Sequence, residues 1–156
     1  MTASATYLCG QCRKVAATVT LVAPGQPDPR LTPEPPGVPP GLSTITGAVF
    51  PRSGQLSIDG GPISITLAPV SMELVAAALD SRSAAALFEL DSEYAPFWCP
   101  MCGASYCRDH YRTVEVYDDG FFDCIRGVCP RGHERTLCRL RAGSPCWERR
   151  SEGIRR

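Results

Sequence analysis

The sequence predicts an α+β fold, a small domain with short antiparallel hairpins and two short helices. Short runs of β-branched or alternating apolar residues recur along the chain, and turns rich in Asp and Gly separate several of them. Two segments near the middle have helical periodicity. Glycine and proline number 14 and 15 in 156 residues, so the apolar core would be modest and other cross-links would have to stabilise it.

The N-terminal quarter is predicted to hold one strand. Residues 8–22 open with Cys9-Gly10-Gln11-Cys12 as a turn, and the β-branched run 15–22 follows as the strand. Residues 1–7 form a short, polar segment, and no strand is predicted there. Residues 23–42 are rich in proline, which fixes backbone angles and removes donors. We therefore predict a linker, with a proline-rich ligand for a partner as the alternative.

Short strands and two helices are predicted next. In residues 43–67 apolar residues alternate with polar ones, and Asp59-Gly60-Gly61 provides the positive φ angles of a tight hairpin. Helices are predicted over 72–79, capped by Ser71, and over 83–90, capped by Ser81 or Ser83. We expect their apolar faces to pack on the sheet; these faces consist of Leu74, Val75, Leu79, Leu87, Phe88 and Leu90.

A second hairpin is predicted in the C-terminal half, where residues 113–117 and 121–128 flank the turn Asp118-Asp119-Gly120. Residues 141–156 are basic with little to bury, and we expect a flexible tail. The predicted organisation is thus one domain over residues 1–140, with an inserted proline-rich and β/α segment over 23–98.

Eight potential metal ligands fall in four closely spaced pairs. The pairs are Cys9 and Cys12, Cys99 and Cys102, Cys107 and His110, and Cys129 and His133. Zinc takes four thiolate or imidazole ligands in a tetrahedron, so four pairs complete two closed zinc sites. The N-terminus lacks the features of a signal peptide, and we expect a cytoplasmic protein whose cysteines bind metal rather than form disulfides. Free buried cysteines with a redox pair are the alternative.

The ligand pairs carry a family resemblance. Residues 99–110, CPMCGASYCRDH, resemble the middle of cross-brace zinc fingers such as the RING and FYVE families and other treble-clef relatives, and Cys129-Pro130 resembles the last RING pair. The resemblance implies a two-zinc, treble-clef-like core with interleaved ligand pairs. The first zinc would take Cys9, Cys12, Cys107 and His110, and the second Cys99, Cys102, Cys129 and His133. A sequential grouping, with residues 99–110 on one ion, stays open.

Several residues beside these pairs also need an assignment. Cys124 is expected to be a small apolar residue on a strand, and Cys138 and Cys146 to be free thiols, with replacement of a predicted histidine ligand by one of them as an alternative. Asp109 and Asp123 are candidate acceptors for a histidine N–H.

The predicted ligands leave no open metal position, and the chain lacks the common hydrolase and phosphate-binding motifs, so we expect no enzymatic activity. Three functions remain. The first is a protein-interaction or adaptor module that uses exposed aromatics, namely Tyr111, Tyr117, Phe121 and Phe122. The second is nucleic-acid binding through Arg108, Arg112, Arg126, Arg131, Arg135, Arg139 and Arg141, although the formal net charge is zero. The third, which the resemblance implies, is a ubiquitin-type ligase or adaptor. No membrane partner is expected, since no apolar run approaches the length of a spanning helix.

Overall fold

Three antiparallel sheets and two short helices form the part of the chain that a computed structural model describes, residues 2–26 and 54–139. The first sheet has the order β1-β2-β3-β4, from strands β1 (Thr2–Leu8), β2 (Val15–Val22), β3 (Gln55–Gly60) and β4 (Ile65–Leu67). Helices α1 (Met72–Asp80) and α2 (Ala84–Leu90) follow. These elements confirm an α+β fold.

The remaining elements surround the predicted ligand pairs. A two-stranded sheet consists of β5 (Trp98–Cys99) and β6 (Ala104–Ser105), and a three-stranded sheet has the order β7-β8-β9. Its strands are β7 (Arg112–Asp118), β8 (Phe121–Val128) and β9 (Glu134–Arg139). Short 3-10 turns cover Ser92–Tyr94 and Arg108–His110. The predicted linker from residue 27 onward and the predicted basic tail lie outside the described residues.

Turn and cap chemistry explains why the predicted elements form where they do. Gly60 and Gly61 have φ angles of 92° and 66° between β3 and β4. At the N-termini of the helices, Ser71 accepts a hydrogen bond from the Leu74 N–H, and Ser83 accepts one from the Ala86 N–H. The cap of α2 is therefore Ser83 and not the alternative, Ser81. Both helices are too short to span a membrane. The described residues contain no other helix that is long and apolar enough to do so.

The core lies between one face of the first sheet and the two helices. Leu21 is opposite Leu56 and Val19 is opposite Ile58 in the β2–β3 pairing, and all four side chains are buried. Val75 and Leu79 of α1 and Leu87 of α2 are buried in the same cluster, so the helices contribute to its apolar stabilisation. The cluster continues into four predicted ligands, Cys9, Cys99, Cys107 and Cys129.

Three details differ from the predictions. Residues 2–8 form a strand, β1, whose inward residues Ala3, Ala5 and Tyr7 alternate with outward hydroxyl side chains. Residues 134–139 form a further strand, β9, that was not predicted. Leu74 was expected to face the sheet and is instead 56% exposed, because the buried stripe of α1 runs through Val75, Ala78 and Leu79.

Candidate metal centres

Each predicted ligand pair lies on a tight backbone turn that one hydrogen bond closes. An N–H group donates to the carbonyl of the first cysteine of the pair across 2.9–3.0 Å in all four turns. The donor and acceptor residues are Arg13 and Cys9, Gly103 and Cys99, His110 and Cys107, and Gly132 and Cys129. Such turns aim both side chains of a pair at one point, as chelation of a single ion requires.

Left-handed backbone conformations complete three of these turns. Gly103 has a φ of 62° and Gly132 a φ of 87°, a conformation that glycine adopts without the steric cost of a Cβ. Arg13, directly after Cys12, has a φ of 65° at the position that corresponds to Gly103. The first turn therefore has the same shape as the second, but Arg13 adopts this shape at a cost in backbone strain.

The first cluster joins the β1–β2 turn to the 3-10 turn before β7. Cys9 Sγ lies 3.5 Å from His110 Nδ1, and Cys107 Sγ lies 3.2 Å from the same nitrogen. Cys12 Sγ and Cys107 Sγ are 3.8 Å apart. All four ligand atoms lie within 4.8 Å of one another.

The second cluster joins the β5–β6 turn to the turn between β8 and β9. His133 Nδ1 lies 3.7 Å from Cys99 Sγ, 3.2 Å from Cys102 Sγ and 3.5 Å from Cys129 Sγ. Cys102 Sγ and Cys129 Sγ are 3.7 Å apart. These four atoms also lie within 4.8 Å of one another.

These distances fit the edges of a metal tetrahedron. With metal–sulfur bonds of about 2.3 Å and metal–nitrogen bonds of about 2.05 Å, tetrahedral angles place two sulfurs about 3.8 Å apart and a sulfur about 3.6 Å from a nitrogen. The sulfur–sulfur separations of 3.7 and 3.8 Å match this edge and are far longer than a disulfide bond. Both clusters could therefore hold a metal ion.

The clusters combine the ligand pairs in an interleaved order. The first and third pairs along the chain form one cluster, and the second and fourth form the other. This is the grouping that the resemblance implied. The sequential grouping, with residues 99–110 around one ion, is wrong, since Cys99 and Cys107 lie in different clusters.

Each cluster has two buried ligands and two half-buried ones, so one side faces the core and the other faces solvent. Burial acts to raise the pKa of the Cys9 thiol, but hydrogen bonds from the backbone N–H groups of Cys107, Cys12 and Gln11 lower that pKa to about 6. Burial opposes ionisation of Cys129 in the same way, and the N–H groups of His133 and Arg131 lower its pKa. The turns thus favour ionisation of one thiol in each cluster.

The second cluster also has polar side chains around its ligands. The pKa of Tyr106 is raised to about 12, mainly by a hydrogen bond with the Cys102 side chain and secondly by burial. Burial is the main cause that raises the pKa of Tyr111. The Arg135 charge acts to lower this pKa, and the thiolates of this cluster act to raise it. Burial lowers the pKa of Arg135, while Tyr111 and Cys99 act to raise it, so all of these groups lie close together.

The chain segments that carry the two clusters also contact each other. The Gly10 N–H of the first turn donates to the Ser105 carbonyl of β6 across 2.8 Å. The rings of Tyr7 and Phe97, each two residues before the first cysteine of its turn, stack with centroids 4.9 Å apart. The clusters are thus held in one body rather than in separate modules.

The residues predicted beside the ligands have other surroundings. Asp109 contributes a backbone N–H to Cys107, and the Asp123 carboxylate lies against the Cys124 thiol, so these contacts do not support either as a histidine acceptor. Cys124 is buried on β8, as expected of a small apolar residue. Cys138 was expected to be a free thiol and is instead disulfide-bonded. The other expected free thiol, Cys146, lies outside the described residues.

The predicted interaction residues divide into exposed and enclosed ones. Phe121 is 78% exposed and Tyr117 is 46% exposed, whereas Tyr111 is buried and unsuited to be an anchor. Arg135 is half-buried, and its guanidinium donates to two backbone carbonyls, so it is less available to a partner than a free surface arginine. Arg141 lies outside the described residues.

The fold and the two clusters define a small α+β domain with two Cys3His groups that could hold metal ions. The chain belongs to the family described as Domain of unknown function (DUF8328), whose model matches residues 1–138. That match includes every ligand of both clusters. No curated protein and no solved structure matches the chain.

Proposed function

We propose that this chain is a non-catalytic zinc-binding protein, in which two structural zinc ions hold a small domain that binds another protein. The observation that carries the proposal is the presence of two separate sets of three thiols and one imidazole, each at tetrahedral spacing. Without a cation, three thiolates this close would repel one another, and three neutral thiols would gain only weak hydrogen bonds.

The donor chemistry favours zinc over other ions. Thiolates and imidazole are soft or borderline ligands, whereas magnesium and calcium take oxygen ligands. Both histidines present Nδ1 to the cluster. Three sulfurs with one nitrogen is a usual set for closed structural zinc sites. The interleaved ligand order is similar to that of cross-brace fingers and supports a treble-clef-like arrangement of the two proposed zinc ions.

A structural role fits better than a catalytic one. A catalytic zinc keeps one position for water, and four protein ligands at each site would fill the tetrahedron. The chain has two histidines, and both lie in the clusters, so neither is free to act as a general base.

Metal content tests the first part of the proposal. Native mass spectrometry of the purified full chain is expected to find two zinc ions. Cys12→Ser and Cys102→Ser should each reduce this to about one, because each removes a ligand from one cluster only. The matched control Cys124→Ser, a buried cysteine outside both clusters, should retain two. A folded wild-type chain without metal would contradict the proposal.

The β7–β8 hairpin is the surface that best supports protein binding. β7 is an edge strand of its sheet among the described residues. Three large apolar residues of the hairpin face solvent: Val114 is 57% exposed, Tyr117 46% and Phe121 78%. An exposed edge with aromatic residues is typical of strand-addition or anchor-type interfaces. Glu115, Asp118 and Asp119 on the same hairpin make a basic partner the best electrostatic match and disfavour nucleic acid.

Site-specific photocrosslinking tests this surface. A photoreactive phenylalanine at position 121 should give a discrete protein adduct in cells, and the same group at exposed Glu89 of α2 should not. Tyr117→Ser, which removes a neighbouring exposed ring, should reduce the adduct. Identical adducts from both positions would contradict the assignment. An adduct that nuclease removes would favour nucleic-acid binding instead.

A further inference from the structure

Arg135 on β9 is half-buried at a junction of three chain segments. Its Nη1 donates to the Trp98 carbonyl across 2.9 Å, and its Nη2 donates to the Ser92 carbonyl across 2.8 Å. The guanidinium carbon lies 4.8 Å from the centroid of the Phe88 ring. Its Nε is buried and makes no hydrogen bond within the described part of the chain.

These contacts orient Arg135 but do not neutralise it. Carbonyl groups and an aromatic face are neutral, and a buried cation is costly unless an anion lies nearby. In the described ranges no carboxylate lies within ion-pair distance of Arg135, in contrast to Arg126, which pairs with Glu134 across 2.9 Å at the surface. A nearby anion would therefore stabilise the half-buried guanidinium of Arg135.

The second cluster supplies this anion if it holds zinc as proposed above. Three thiolates and a neutral imidazole around a divalent ion carry a net charge of −1. Trp98, whose carbonyl accepts from Arg135, is bonded to the ligand Cys99.

We propose that Arg135 is the positioning and charge-balancing residue of the second metal site. The guanidinium fixes the backbone before Cys99 and offsets the negative charge of the metal–thiolate group, which retards loss of the metal. Among the described residues, no half-buried arginine is adjacent in sequence to the ligands of the first site. The cations nearest to these ligands along the chain, Arg13, Lys14, Arg108 and Arg112, are exposed to water, where screening weakens their effect.

The test measures how fast each site opens. The zinc-loaded full chain is treated with EDTA and iodoacetamide, and mass spectrometry of the peptides follows labelling of Cys99, Cys102 and Cys129 against Cys9, Cys12 and Cys107. Arg135→Met removes the charge and retains the chain length. It should accelerate labelling of the second set about 10-fold or more relative to the first, the usual effect of losing an outer partner of a metal site.

Three further variants separate charge from packing. Arg135→Lys keeps the charge but loses the two-carbonyl fork, and its labelling rate should lie between wild type and Arg135→Met. The surface control Arg126→Met should label like wild type. Arg135→Gln removes the charge but keeps a hydrogen-bonding side chain; it should accelerate the second set like Arg135→Met, and it carries the test if Arg135→Met does not fold.

Two results would overturn the inference: equal acceleration of both sets in Arg135→Met, or identical rates in the Lys and Met variants. If Arg135→Met does not fold, unchanged second-set labelling in Arg135→Gln would overturn it. These outcomes differ from failure of the zinc proposal itself, in which the wild-type chain would carry no metal.

Discussion

The two halves of the molecule are stabilised by different means. The half formed by β1–β4 and the two helices buries a continuous set of aliphatic side chains. The half formed by β5–β9 provides six of the eight cluster ligands, and most of β7 is exposed. Burial of apolar area can support the first half, whereas the second has little of it and depends on the proposed metal ions. Four predictions test this contrast.

Metal removal is expected to have the largest effect. After chelation, hydrogen exchange should become fast in β5–β9, because coordination supplies most of the folding free energy there. Exchange in β2 and β3 should stay slow, since apolar burial holds them. Mass spectrometry of peptides from both halves gives the comparison. Equal loss of protection in both halves would show that the contrast is mistaken.

A cavity in the apolar half should have the next largest effect. Leu56 is fully buried on β3, so Leu56→Ala is expected to lower the free energy of unfolding by about 2–5 kcal/mol. The matched control Val114→Ala on exposed β7 should change it by less than about 0.5 kcal/mol. Urea unfolding of the zinc-loaded chain measures both. A comparable loss from the two variants would be inconsistent with this division of the core.

Substitutions at the equivalent position of the two cysteine turns should change the stability of the fold in opposite directions. Gly103 has a φ of 62° and open space around it, so Gly103→Ala should destabilise the fold by about 1–2 kcal/mol through backbone strain alone. Arg13 adopts nearly the same φ, and Arg13→Gly should stabilise it by up to about 1 kcal/mol. Thermal unfolding of both variants measures these two changes in stability. Destabilisation by Arg13→Gly would indicate that its side chain makes a compensating contact.

The smallest expected effect is at Tyr7, where the two halves meet. Its ring stacks on Phe97, but its buried hydroxyl has no hydrogen-bond partner in the described residues. Tyr7→Phe keeps the stacking and removes an unpaired polar group, so we expect stabilisation of up to about 1 kcal/mol. Urea unfolding measures this change, and a marked loss of stability would reveal a partner for the hydroxyl.

The sequence predicted those features that depend on local chemistry. The ligand pairs, the Gly60-Gly61 and Asp119-Gly120 turns and the Ser71 cap each require particular residues at short spacing, and all are found. β1 was missed because alanine fills two of its three inward positions and gives little apolar signal, although the alternation itself is present in residues 2–8. That alternation could have revealed the strand.

Features set by distant contacts could not be predicted. β9 was missed because Arg135 occupies an inward position, which breaks the apolar alternation of the strand. The carbonyls that hold Arg135 belong to Ser92 and Trp98, 43 and 37 residues earlier. The grouping of the ligand pairs likewise depends on contacts across 95 and 101 residues in the first cluster, and residue spacing alone left it open.

The interleaved order of the ligand pairs has a consequence for biosynthesis. As the chain leaves the ribosome, Cys9 and Cys12 are followed first by Cys99 and Cys102, which belong to the other cluster. Four thiolates are themselves a complete tetrahedral set for zinc. A nascent chain therefore passes through a stage at which an all-cysteine misligated state competes, before Cys107 and His110 have emerged. Correct loading of the proposed zinc ions then requires either late arrival of the metal or ligand exchange once residue 133 has emerged.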